Sequence, residues 1–189
     1  MDWFFNPKLQ AAARALVAGE VIAYPTEAVW GVGCDPHNDQ AVYKLLAMKR
    51  RDVEKGLILV AASMDQIEPL LRPLTVEQRQ QLHQGWPGPL TWLVPDLRNQ
   101  VPEWVKGQHT SVALRVSAHP VVSALCRAVG GPIVSTSANP QGKAPALHSW
   151  QVRRYFGDSL AALAPGAVGL QAKPTEIRDL VTGSIIRAS

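Results

Sequence analysis

Apolar positions along the chain alternate between two rhythms. Stretches with a period near 3.6 predict helices, and short β-rich runs between them predict strands. Asn6-Pro7 is a helix-start signal, and Leu9, Ala12, Ala13, Leu16 and Val17 follow at helical spacing until Gly19. Val21-Ile22-Ala23-Tyr24 reads as a strand that Pro25 must end, because proline cannot donate to a sheet ladder. Residues 28–34 follow, so the pair reads as a strand-turn-strand corner in which Gly31 and Gly33 permit close approach or positive φ. Asp39 is the expected cap of a helix bearing Ala41, Val42, Leu45, Leu46 and Met48. A strand is expected over 57–62, then a short helix capped by Ser63, then a helix opened by the capping box Thr75-Val76-Glu77-Gln78.

Gly85-Trp86-Pro87-Gly88-Pro89 predicts a rigid turn before a strand at 90–94. Residues 96–110 read as loop with a short turn at 102–105, and 111–116 as a strand. A helix over 119–129 precedes a strand from Pro132 that runs into a polar loop, and Ser149 is the expected cap of a helix to Phe156. The segment 160–174 reads as irregular with one short strand. Residues 175–180 and 184–187 form a hairpin signal around Val181-Thr182-Gly183. Strands alternating with helices predict an α/β fold in a single domain over 1–189, core from about residue 7, its sheet mixed because of the terminal hairpin.

Composition narrows the class. With 47% hydrophobic and 18% charged residues, the 189-residue chain can bury a core, and no apolar run approaches the roughly 18 residues of a membrane span. The N-terminus has no basic start or long apolar stretch, so a cytoplasmic protein with no membrane partner is expected. Two distant cysteines, Cys34 and Cys126, are expected as buried free thiols. Five scattered histidines offer no zinc spacing. The net charge of +4 favours phosphate-bearing partners, a nucleotide or RNA.

The charge is concentrated. Lys49, Arg50, Arg51 and Lys55 fall within seven residues, immediately before an apolar strand. Such a turn suits an anion held at a sheet edge, although most lysine and arginine turns are simply solvated. Further polar groups sit at or beside strand ends: Thr26, Ser111, Arg115, Ser135, Ser137, Asn139, Thr175 and Arg187. Open α/β sheets bind ligands at strand ends, so these groups are expected to converge there. Arg115 shares a strand face with Ala113 and Ser111 and needs an anion. The bland alternatives are a hydroxyl-rich turn at 135–139 and a structural ion pair at Arg115. No Walker loop, dinucleotide fingerprint, catalytic carboxylate pair or covalent nucleophile stands out, and the set suits positioning and charge neutralisation.

Five motifs then occur in order: Tyr24-Pro25-Thr26-Glu27, Lys49-Arg50-Arg51, Trp86-Pro87-Gly88-Pro89-Leu90-Thr91, Ala113-Leu114-Arg115-Val116 and Ser135-Thr136-Ser137-Ala138-Asn139. Together they resemble the YrdC-type family, in its short bacterial form that makes threonylcarbamoyl-AMP. The resemblance implies a YrdC/RibB-like α/β fold, a twisted mixed parallel and antiparallel sheet flanked by helices with a large basic cavity. It implies the reaction of L-threonine, bicarbonate and ATP to threonylcarbamoyl-adenylate, diphosphate and water, the first step of modifying adenosine 37 of tRNA. It implies nucleotide contacts at Lys49, Arg51, Lys55, Ser111, Ser137, Asn139, Pro145 and Arg187. Threonine contacts are implied at Thr26, Arg115, Ser135 and Thr175. ATP is the implied substrate with Mg2+ beside it, and the downstream tRNA threonylcarbamoyl-transferase machinery the implied partner. Val60 stands where some longer relatives carry a pocket histidine, and Thr175 replaces a common serine. Two rival readings use the same charges: a module binding tRNA or double-stranded RNA, and a family member that has lost the reaction.

Overall fold

The computed structural model describes residues 3–170 and 175–188. Its strands are β1 (Ile22–Pro25), β2 (Trp30–Gly33), β3 (Ile58–Ala61), β4 (Leu90–Pro95), β5 (Ser111–Val116), β6 (Ile133–Ser137), β7 (Ala162–Leu163), β8 (Glu176–Asp179) and β9 (Ile185–Arg187). Its helices are α1 (Pro7–Val17), α2 (Asp39–Lys49), α3 (Glu68–Leu71), α4 (Val76–Gly85), α5 (Glu103–Lys106), α6 (Pro120–Val129) and α7 (Ser149–Phe156). Among the described residues the strands form one sheet in the order β7-β1-β2-β6-β3-β5-β4-β8-β9.

The sheet is mixed, as expected, but more widely than the terminal hairpin requires. Antiparallel pairs β1–β2, β2–β6, β3–β6 and β4–β5 run through its middle, in addition to β8–β9. Parallel pairs are β1–β7, β3–β5 and β4–β8. The β1–β2 pair is the strand-turn-strand corner read from the sequence, whereas β2–β6 and β3–β6 join strands distant in the chain and leave no local signal. The short strand expected in 160–174 is β7; residues 171–174 lie outside the described residues.

Local signals set most element ends. Asn6 Oδ1 accepts from the backbone N–H of Lys8 (3.0 Å) and Leu9 (3.3 Å), satisfying two donors that α1 leaves free. The Thr75–Gln78 capping box opens α4. Three caps differ from expectation. Asn38, not Asp39, caps α2, leaving Asp39 inside the first turn, where its charge suits the helix dipole. His148 precedes α7, and Gln151 Oε1 accepts from the N–H groups of Leu147 and His148. Ser63 makes no capping bond, and a 3-10 turn at Met64–Ile67 separates it from α3. Both cysteines are free and buried, and burial pushes each thiol up to about 12.

Strand alternation divides the core into two layers. Val21, Ala23, Val32, Leu57, Leu59, Ala61, Leu114 and Val134 pack with the buried side of α2 and with α4 and α7. Ile22, Tyr24, Val60 and Ile133 point the other way, against α1 and α6. Those two helices pack on each other and cover only part of that face. Gly33 lies where β2 and β6 press together. A Cβ there would fall 2.0 Å from the Val134 carbonyl, so the glycine serves close approach and not a positive φ.

Candidate functional site

Where α1 and α6 stop, the same sheet face continues uncovered. Val60 lies under the helices and Ile58, two residues back, does not; Ile133 lies under them and Ser135 and Ser137 do not. Ser135, Ile58, Ala113 and Leu93 are register partners across four neighbouring strands, and all four line one cavity of about 480 Å3. That volume is within the usual range for small-molecule sites. The site therefore lies against a face of the sheet. The expected convergence at strand ends holds, since Ile58 and Ser111 open β3 and β5 and Ser137 closes β6; the sheet-edge placement is corrected, because β3 is the fifth of the nine strands among the described residues.

Among the described residues five cationic side chains line the cavity: Arg51, Lys55, Lys106, Arg115 and Arg187. His109 is beside them, and no carboxylate among the described residues is in the lining. Thr26, Ser111, Ser135, Ser137, Thr175 and Pro145 also line it, so ten of the twelve expected site residues meet there. Lys49 and Asn139 do not line it.

The basic turn divides its work. α2 ends with Arg50 in the left-handed region at φ 52°, with N–H bonds from Arg50 to Ala47 and from Arg51 to Leu46. This closure buries Lys49, exposes Arg50 and sends Arg51 to the cavity. Arg51 Nη2 donates to the Gly56 carbonyl at 2.8 Å, while its buried Nε has no hydrogen-bond partner among the described residues. Lys49 Nζ donates to the carbonyls of Ser137 and, at 2.7 Å, Asn139. Burial, then the nearby Arg51 charge, lowers the Lys49 pKa to about 8. Lys49 thus fastens the 137–139 loop from behind. Asn139 acts in the same loop, its Oδ1 accepting from Ser137 Oγ at 2.6 Å. Pro145 is held at the rim because neighbouring Ala146 bonds to Ala138 and Trp30.

The other cations come from distant segments. Gly56 has φ 63°, and a Cβ there would meet the Lys106 carbonyl at 2.9 Å, so the basic turn and α5 are fixed against each other. Lys106 is buried and pairs with Asp96 at 2.9 Å. Arg187 Nη2 donates to the Thr175 carbonyl at 2.8 Å, and the Thr175 and Thr91 hydroxyls lie 3.4 Å apart. Desolvation, then the charges of Arg115 and Arg51, lowers the Arg187 pKa; these guanidiniums share one field. Among the described residues no carboxylate pairs with Arg51, Lys55 or Arg187.

Arg115 has a partner that was not anticipated. Its Nη2 lies 3.6 Å from Glu27 Oε2, and both side chains are largely buried. Burial alone would raise the Glu27 pKa, but Arg115 and the Ser117 hydroxyl hold it below the usual carboxylate value. The arginine's need for an anion was legible; the anion's identity was not, though Glu27 stands in the quoted motif beside Thr26. Lys106 and His109 were also missed. They come from the segment read as loop and carry no motif. Val60 is fully buried under α1 and α6 and does not line the cavity.

The implied Mg2+ does not find a protein cradle. Among the described residues no group of three or more His, Cys, Asp or Glu could hold a metal ion, and the cavity lining suits anions. Among the same residues no helix is long and apolar enough to cross a membrane.

Comparison with known proteins identifies the family and supports the fold. The Sua5/YciO/YrdC family model, described as telomere recombination, matches residues 14–189. A threonylcarbamoyl-AMP synthase of Cellvibrio japonicus is 54% identical over 189 residues, all of both chains. One of Marinobacter nauticus is 56% identical over 180 residues, 95% of each chain. Among solved structures, P. abyssi Sua5 complexed with L-threonine is 28% identical with a TM-score of 0.87; the match covers 95% of this chain and 53% of that one, about half its length. E. coli YciO shares the fold at 20% identity and a TM-score of 0.82, over 95% of this chain and 87% of that chain. With motifs, fold and full-length similarity in agreement, the chain belongs to the Sua5/YciO/YrdC family.

Proposed function

We propose that this protein is an enzyme that makes threonylcarbamoyl-AMP from L-threonine, bicarbonate and ATP, releasing diphosphate and water. The observation that carries the reading is the cavity on the open sheet face, lined among the described residues by cations and no carboxylate. The full-length relatives bearing the name threonylcarbamoyl-AMP synthase support it.

In this reading the amine of threonine becomes a carbamate, either by attacking bicarbonate with loss of water or by adding to carbon dioxide with loss of a proton. The carbamate oxygen attacks the α-phosphorus of ATP and the bond to diphosphate breaks. No protein nucleophile is required. Arg115 is assigned to the amino-acid carboxylate, and Thr26, Ser135 and Thr175 orient the rest of threonine. Arg51, Lys55 and Arg187 are assigned to the phosphates, where fixed cations stabilise charge that grows in the transition state. Ser111, Ser137 and the backbone at Pro145 complete the nucleotide side. Lys49 and Asn139 serve that side by holding the loop that carries Ser137. The product is the activated group for a tRNA threonylcarbamoyl-transferase.

The test is incorporation of radiolabelled bicarbonate into a nucleotide product by the purified chain. Label is expected only with both threonine and ATP. ATP turnover independent of threonine, or salt-sensitive RNA binding without turnover, would overturn the assignment.

A further inference from the structure

The Glu27–Arg115 pair is unlike the other buried pair beside the cavity. Lys106 and Asp96 meet at 2.9 Å, and Asp96 also accepts from the backbone of Gln100 and Val101, so that pair is saturated. Arg115 and Glu27 stay 3.6 Å apart, and both Arg115 Nε and Glu27 Oε2 are buried without a hydrogen-bond partner among the described residues. The gap is not slackness in the carboxylate. Glu27 Oε1 accepts from Ser117 Oγ at 2.6 Å, and Ser117 is itself held by Ala61, His119 and Ser123. The loop backbone is fixed too: Gly169 N–H donates to the Thr26 carbonyl at 2.9 Å, and a Cβ on Gly169 would lie 2.7 Å from the Glu27 carbonyl. A rigid anion is thus set just short of full contact with a cation that lines the cavity. The other guanidiniums there, Arg51 and Arg187, have no such counter-charge among the described residues.

Opposite charge at this distance both orients a guanidinium and weakens its pull on a second anion. A cavity that takes a polyphosphate and a carboxylate side by side must keep the more highly charged group off the carboxylate's cation. We propose that Glu27 is a positioning and selectivity residue: it aims Arg115 into the cavity and offsets its charge, so that phosphates settle on Arg51, Lys55 and Arg187 and Arg115 is left for a singly charged carboxylate. The identity of that carboxylate as threonine's rests on the proposed function; the sorting of anions does not.

The experiment is equilibrium titration with inorganic pyrophosphate, which needs no turnover. Wild-type protein is expected to bind it at one site. Glu27→Gln, isosteric and still able to bond Ser117, gains a second site within tenfold of the first, and adding Arg115→Ala erases it. Glu27→Asp, which keeps the charge, stays near wild type. Ser117→Ala, which frees the carboxylate to swing off Arg115, gives a smaller gain in the same direction and serves if the Gln variant does not fold. Unchanged isotherms in the folded variants would overturn the proposal. Saturating threonine is expected to displace pyrophosphate from the new site only. If the second site appears but threonine does not displace it, the sorting role stands and the threonine assignment falls. In kinetics, Glu27→Gln makes pyrophosphate competitive with threonine as well as with ATP, a change of pattern that mere loosening of the fold would not produce.

Discussion

One face of one sheet carries two opposite environments. Toward α1 and α6 its side chains are Ile22, Tyr24, Val60 and Ile133, fully buried. Beyond those helices the same strands present Ile58, Ala113, Ser111, Ser135 and Ser137 to a cavity ringed by cations. The backbone does not change across the boundary; the cover does. Under the helices, apolar area removed from water stabilises the fold by about 25 cal/mol per Å2. In the open half, polar groups forgo that gain and remain available to a ligand. Arg115 stands at the boundary, largely buried yet lining the cavity, and its position is tolerable because Glu27 lies beside it.

The contrast can be broken from either side. Leu125→Ala in α6 opens a void under the covered half and is expected to cost roughly 2–5 kcal/mol. Urea denaturation checks this, and the KM values of the surviving folded enzyme should change little. Arg51→Ala acts on the open half and is expected to lower kcat/KM for ATP about 10²–10³-fold, as loss of one preorganised charge donor does, while the melting temperature stays near wild type. Wild-type turnover by Arg51→Ala would remove that cation from the mechanism. Lys49→Met lies between the two regimes. It leaves the carbonyls of Ser137 and Asn139 without their donor, a cost of about 1–3 kcal/mol, and should raise the ATP KM through the displaced loop, with a smaller effect on kcat.

The smallest expected effect is one of pH. The folded-state pKa of Glu27 is depressed below its ordinary 4.5. Its pairing therefore contributes stability fully above that value, and the contribution is lost as pH falls through the depressed pKa. The stability difference between wild type and Glu27→Gln should accordingly shrink on acidification below 4.5. A difference that stays constant down to pH 3 would mean that the pair does not contribute through charge.

The sequence exposed these two regions unequally. The covered half was written in α1 and α6, whose apolar spacing and opening prolines gave both helices near their observed bounds. The open half appeared only as scattered polar residues. Ten of its twelve expected members do meet, at or beside strand ends, but the open face beneath them was not legible, because which face the helices leave bare depends on contacts between α1 and α6 that no local pattern records. Lys49 illustrates the limit. A lysine two residues before an arginine gives no hint that the left-handed turn at Arg50 will bury one and present the other.

The amino-acid order by itself determined the element types, the alternation that gives each strand two faces, the reduced buried thiols and the concentration of positive charge before β3. These follow from short-range preferences and from how many apolar side chains the chain can withdraw from water. Only the tertiary structure decided that the floor of the site is a sheet face, that Lys49 turns inward, and that Glu27 and Lys106 join the cations. Such outcomes depend on pairings between residues tens of positions apart, whose energies exist only once the chain has closed on itself.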